Sequence, residues 1–425
     1  MTALIFAGVP VVMLALSAPI FIVMLTAATL GILYLHLAPL AAIHSAVFGN
    51  LDSFPLLAIP LFIFAGEIMA RGGIARRLID LIFSVIGGVR GSLGVATVGS
   101  AAAFGAMSGS SVACVAAIGK LTIPALVKNG YGRNFSVSLI TATGVIDVII
   151  PPSITMIIYG VAAQQSVALL FLAGIVPGFI IAAGLAVYVM GRARRLNIPI
   201  GEKPRLGAVL LALRSAVWSL FAPVLILGGI YGGIFTPTEA AGIACIYALV
   251  VSLLIYRELN LMDVWRIALD TSVLVAQIMI LIAGAGAYGW LITTSGFPAD
   301  LVGFITSLHL DKWLLLLVIN VVLLFIGSVL EPPAAILVLT PLLLPVVTEA
   351  HVDPIHFGLV VTVNLAIGMF LPPFGLNLFA SNTLFKVPLP ILYRGVIPFV
   401  FIYGAVLILL TYVPEITLAP LNWMR

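Results

Sequence analysis

"VIIPPSI", residues 148–154, interrupts a stretch apolar enough to cross a membrane. Proline has no N–H and its ring clashes with the carbonyl one turn back, so Pro151 and Pro152 stop or kink a helix. In hydrocarbon, each backbone group freed in this way costs several kcal/mol unless something covers it. Such a break must be compensated by protein, water or an ion.

The surrounding chain fixes the setting. Its 425 residues are 63% hydrophobic and 8% charged, where a soluble domain carries roughly 25% charged residues. Apolar runs stand at 3–35, 54–70, 167–190, 217–234, 240–255, 271–292 and 388–413. Several approach or exceed the ~20 residues that a helix needs to span the hydrocarbon core. Alternating strands with aromatic girdles are absent, which excludes a barrel. The composition predicts an all-α polytopic membrane protein. The N-terminal MTALIFAGVP lacks a basic leader and reads as a retained first span.

The net charge of +4 is a topology signal. Arg192, Arg194, Arg195, Lys203, Arg205 and Arg214 crowd one hydrophilic segment, with Glu202 the single acid among them. Short basic loops beside spans stay cytoplasmic, so 192–215 is expected to be a cytoplasmic linker or helix facing lipid headgroups. The cluster is too short, and too closely flanked by spans, for a nucleic-acid partner. Cys114 and Cys245 lie far apart in apolar runs and read as small buried hydrophobes. The five histidines show no metal-ligand spacing, and "GSLGVATVG" lacks the Lys-Ser/Thr of a phosphate-binding loop. With no ATPase motif, an ion gradient is the expected energy source, and no cofactor is expected.

The double proline returns as Pro372–Pro373 in "MFLPPFGLN", 221 residues after the first. At the same offset Pro124 meets Pro345, Thr141 meets Thr362, Gly174 meets Gly395, and Pro177 meets Pro398. Shared hydrophobicity does not align four prolines at three separate places, so the chain is read as an internal duplication. The expected halves are 1–191 and 216–425.

Each half carries a second oddity ahead of its break. Residues 92–107 and 112–127 are apolar pieces of sixteen residues around Ser108-Gly109-Ser110-Ser111. At 1.5 Å per residue each spans about 24 Å, short of the ~30 Å core. Two short helices with a small polar tip predict a re-entrant hairpin over 92–127, followed by a broken helix over 135–164. In the second half, Leu330-Glu331-Pro332-Pro333 marks the tip of a hairpin over 313–347, followed by a broken helix over 356–384. Interrupted segments in corresponding positions of two halves point to a transporter's binding site. Half-helix starts attract anions, and half-helix ends offer carbonyls to cations.

"GAMSGSSVA", "IIPPSITMIIYG", "EPPAAILVLTPLLLPV" and "LPPFGLNLF" occur in that order. With them the chain resembles, along essentially its whole length, the large membrane (M) subunit of tripartite ATP-independent periplasmic (TRAP) transporters, the DctM-like family. The resemblance implies two inverted-topology repeats and a sodium-coupled elevator in the bacterial inner membrane. It also implies a small four-helix membrane (Q) subunit, a periplasmic binding (P) protein, and a small organic acid as cargo: a C4-dicarboxylate, a sugar acid, a keto acid or a related solute. One residue departs from the family pattern. In "TATGVIDVIIPPS", Asp147 stands where a small or apolar side chain is expected, and its counterpart is Gly368.

The expected substrate site comprises Ser108, Gly109, Ser110, Ser111, Asp147, Ser153, Glu331 and Asn377. The expected sodium sites comprise Ser110, Gly144, Asp147 and Pro151 in one half, and Leu330, Pro332, Asn364, Gly368 and Pro372 in the other. Pro152, Pro333, Pro373 and Gly375 are expected to shape the backbone. An intramembrane carboxylate defaults to function, against the plainer reading of Asp147 as a paired structural acid. The serines have a plainer reading as helix-packing residues, and Glu331 as a helix cap. Glu67, one turn before Arg71, reads as structural. Two competing functions are a stand-alone sodium/dicarboxylate symporter and an intramembrane enzyme. The enzyme needs a second carboxylate beside Asp147, for which Glu331 is the candidate.

Overall fold

The computed structural model describes residues 6, 8–36, 38–201 and 203–423. Glu202 and the first residues of the 3–35 run therefore lie outside the described residues. Among the described residues there is no strand, only an isolated bridge between Arg90 and Ile200.

The chain opens with α1 (Val9–Ala15), α2 (Ile20–Leu35), α3 (Ala41–Leu51), α4 (Ala58–Arg71) and α5 (Ile74–Val85). The run expected to be continuous is divided where Ser17 takes a positive φ and Pro19 caps α2. A helix pair follows, α6 (Ser92–Ser108) and α7 (Ser111–Lys128). The broken helix comes next as α8 (Arg133–Thr143), α9 (Ile146–Ile149) and α10 (Ile154–Ala162), bent by 43°. Then come α11 (Val167–Arg195), α12 (Leu206–Tyr231), α13 (Pro237–Val250), α14 (Leu261–Thr294) and α15 (Phe297–Ser307). The second hairpin is α16 (Lys312–Gly327) and α17 (Pro332–Glu349). The second break divides α18 (Pro354–Gly368) from α19 (Leu376–Phe385), and α20 (Leu389–Tyr412) and α21 (Glu415–Leu418) close the chain. Among the described residues, eight helices are long and apolar enough to cross a membrane.

The basic segment is mostly helix. Arg192, Arg194 and Arg195 form the last turn of α11, and Arg214 lies within α12, which leaves only 196–205 between the helices. Cations in a final turn complement the helix dipole, so the helix continues through them.

Five elements long and apolar enough to cross, the bent helix, α11, α12, α13 and α14, run from the first break to the second when each hairpin is read as re-entrant. An odd number of crossings therefore separates the start of α8 from the start of α18, so the second repeat is inverted relative to the first. The packing is reciprocal, as a two-fold relation requires: α10 lies on α17 and α19 on α7, while α11 lies on α18 and α20 on α8. Phe135, Tyr188 and Phe399 fill the seam of α8, α11 and α20, with the Tyr188 and Phe399 rings edge to face at 5.2 Å. Hydrogen bonds also cross between repeats, from Tyr159 to the Pro354 carbonyl (2.7 Å) and from Tyr403 to the Ala142 carbonyl (2.8 Å). Around this unit stands a second layer, in which α2 and α3 pack on α14, α4 on α13, and α5 on α12. There Arg71 bridges Glu67 and Asp270, both at 3.0 Å, which accords with the structural reading of Glu67. Cys114 and Cys245 are buried free thiols.

Candidate functional site

The first hairpin ends where Ser108 closes α6 and Gly109 takes φ +63°, a conformation that suits glycine. Ser110 then starts α7 from extended backbone. The tip is seated tightly: a Cβ on Gly109 would come 3.1 Å from the Pro152 carbonyl, and Ser108 backbone abuts Gly66 of α4. Gly144, just after α8, faces the Ser111 carbonyl. Hairpin tip and proline break thus touch.

Asp147 lies inside this contact, fully buried, with its Cα against Gly105 of α6. The amides of Gly109 and Ser110 face its carboxylate, yet neither oxygen completes a hydrogen bond of normal geometry. A charged carboxylate without a partner in a low-dielectric interior is strongly disfavoured. The arrangement calls for a cation or a proton at those oxygens.

Ser153 is differently used. Its hydroxyl accepts from the Met156 amide at 3.3 Å and donates to the Val148 carbonyl at 2.5 Å, so it caps α10 and ties the break together. Pro151 and Pro152 are joined by a cis peptide and are buried, as the adjoining helices α8 and α9 largely are.

In the second repeat, Pro332 and Pro333 open α17, where a missing N–H costs nothing. Glu331 occupies the N-cap position, but its side chain caps nothing. It is exposed and lines a cavity of about 190 Å³ with Ser328, Leu330, Met369, Phe374 and Phe379. Asn364 donates to the Val360 carbonyl and to Asn320 Oδ1, both at 2.8 Å, while its own Oδ1 is buried without a donor. Gly368 lies directly on Gly327 of α16. Pro372 and Pro373 are again joined by a cis peptide, and Gly375 folds back on Met369.

Each repeat thus has a buried acceptor without a donor at the crossing of hairpin and broken helix: the Asp147 carboxylate in one, Asn364 Oδ1 in the other. The two halves meet at Asn377. Its amide bonds Ser111 of the first tip at 2.6 Å and the Thr141 carbonyl of α8 at 3.2 Å. Its neighbours Leu376 and Phe379 line the Glu331 cavity. Asp147 and Glu331 belong to opposite repeats, one buried and one exposed, so they are not a shared-proton pair. Sequence reasoning missed Ser381, which bonds Thr141 at 2.7 Å, and Asn320, which bridges Asn364 to Thr411. Their signal was a polar side chain inside an apolar helix.

Residues 7–416 match the family model described as the tripartite ATP-independent periplasmic transporter, DctM component. The chain is 40% identical over 378 residues to the C4-dicarboxylate TRAP transporter large permease protein DctM of Pseudomonas aeruginosa, covering 89% of this chain and 88% of that one. It is also 40% identical over 404 residues to the isethionate TRAP transporter permease protein DctMQ of Oleidesulfovibrio alaskensis, covering 95% of this chain and 64% of that protein. Among solved structures, the Alcanivorax borkumensis YdaH transporter shares the fold, with a TM-score of 0.64 over 88% of both chains at 15% identity. Inverted repeats, paired hairpins and this similarity agree: the chain belongs to the DctM family of large TRAP permeases, multi-pass transporters of the bacterial inner membrane and not enzymes.

Proposed function

We propose that the chain is the membrane permease of a sodium-coupled uptake system for a small organic anion. The carrying observation is the pair of buried, donor-free acceptors, Asp147 and Asn364 Oδ1, at equivalent crossings of hairpin and break. Sodium is a hard cation that takes oxygen ligands. One ion is assigned to Asp147 with backbone oxygens of Ser110, Gly144 and Pro151. The other is assigned to Asn364 with backbone oxygens of Leu330, Pro332, Gly368 and Pro372. With both ions in place, the tip residues Ser108, Gly109, Ser110 and Ser111, together with Glu331 and Asn377, offer hydroxyls, amides and half-helix starts to an anion.

Two of the similar proteins support an anionic cargo, the Pseudomonas relative being named for C4-dicarboxylates and the Oleidesulfovibrio one for isethionate. A small membrane subunit and a periplasmic binding protein are the proposed partners; the relative named DctMQ, longer than this chain, supports the first. In transport, α6–α11 and α16–α21 move as one body, like an elevator, against α2–α5 and α12–α14. The test is uptake into proteoliposomes containing the permease and small subunit, with cognate binding protein outside. Uptake that requires both the binding protein and an inward sodium gradient is expected. Equal uptake in choline rejects the coupling, and equal uptake without the binding protein rejects the tripartite assignment.

A further inference from the structure

A crevice of about 580 Å³ lies where the two layers meet, between α6 and α11 on one side and, on the other, Ile86 at the end of α5 and Leu227 of α12. Every side chain lining it is apolar. Gly99 and Ala103 of α6 and Ala183 of α11 leave it wide, Phe179 and Leu227 flank it, and Pro151 of the first break stands at its inner end. Protein interiors are otherwise close-packed, and water makes no hydrogen bonds to such a lining. A Cβ on Gly99 would find only ordinary contacts, at 3.5 Å to Ile82 and 3.7 Å to Ile86. The space is real and suits hydrocarbon.

The other end of the crevice is basic. Ile86 lines it just past the end of α5, and four residues on, Arg90 is exposed and bridged to Ile200. Lys203, also exposed, lies over Gly88. Ala186 lines the crevice two turns before the arginines that end α11. Asp80, exposed on α5, is the nearest described acid in this stretch of sequence. A basic rim at a helix-lined pocket on the cytoplasmic side attracts anionic headgroups.

We propose that this crevice is a binding site for an anionic phospholipid, with one acyl chain between α6 and α11 against Pro151 and the phosphate held by Arg90 and Lys203. The lipid occupies the seam between the two layers and touches the first proline break. It is bound whether or not the cation assignments above hold.

The purified permease, stripped of lipid in detergent, is titrated with phosphatidylglycerol and with phosphatidylcholine of the same chains, and bound lipid is counted by native mass spectrometry. Wild type should bind one phosphatidylglycerol per chain in preference to phosphatidylcholine. Arg90→Ala and Lys203→Ala should each weaken phosphatidylglycerol about fivefold, the effect of one basic contact near a headgroup, and leave phosphatidylcholine unchanged. Gly99→Leu should lose both lipids. If that variant does not fold, a phosphatidylglycerol with a photoreactive group at its chain end, applied to wild type, should label residues 95–106 or 175–186. Equal binding of the two lipids by wild type overturns the headgroup assignment. Full binding by folded Gly99→Leu, or labelling confined to other helices, overturns the crevice.

Discussion

The hydroxyl of Ser111 lies 2.9 Å from Oδ1 and 2.6 Å from Nδ2 of Asn377, so one amide both accepts from and donates to the first hairpin tip. The two residues are 266 positions apart and belong to opposite repeats. Both are buried, and an unpaired buried polar group costs about 1–3 kcal/mol. Ser111→Ala and Asn377→Ala should each lower stability by that order, and the double variant by little more than either alone. A double-mutant cycle on thermal unfolding of the purified protein checks this; additive effects would show that the contact is not coupled.

Asp147→Asn keeps the shape of the side chain and removes its charge. Sodium affinity in transport should fall by about ten- to a hundredfold, the effect of losing a charged buried contact worth about 1.5–3 kcal/mol. Uptake is measured against sodium concentration in wild type and variant at matched protein levels. Superimposable curves would leave Asp147 as a structural acid and remove it from the cation site.

Gly327 and Gly368 let the second hairpin cross the second broken helix in backbone contact. Gly368→Ala places a methyl group into the Gly327 backbone, which does not yield as a side-chain end would. Overpacking of this kind costs about 1–3 kcal/mol. Gly404→Ala, on the same layer but with open space around it, should be neutral or raise stability by up to about 1 kcal/mol through helix propensity. Melting temperatures of the two variants should therefore move in opposite directions, or only the first should fall.

Orientation is checked with introduced cysteines. Pro199→Cys, in the basic connection, should resist an impermeant thiol reagent applied to intact cells. His351→Cys, in the exposed connection after α17, should react readily, because the crossing count puts it on the other side. Cys114 and Cys245 are buried and give little background. Reaction of both or neither would refute the odd number of crossings.

The hairpins and breaks were legible because prolines, glycines and small polar tips punctuate a helix locally, and because the 221-residue offset repeats that punctuation. The first hairpin pair ends at Lys128, and the second break runs from Pro354 to Phe385. What stayed hidden was long-range. No local pattern says that Asn377 reaches Ser111 rather than its own hairpin. Ser153 looked like a ligand, but an extended residue before a helix start is also where a hydroxyl caps, and that use prevailed. The basic segment is helix at both ends with a short connection between, as suits arginine, a good helix former.

Inversion has left a mark in the amino-acid alphabet of the two halves. Where the first repeat places Arg90, Lys128 and Arg194, the second, 221 residues on, has Asp311, Glu349 and Glu415. Lys128 and Glu349 are both the last residue of the second hairpin helix. Copies of one ancestral segment, threaded in opposite directions, cannot keep the Lys/Arg retention signal at the same structural address. Loss of the cation at these matched positions accords with that rule, and it bears on chimeras. A half transplanted into the other's place keeps its helices but carries the wrong sign at its ends.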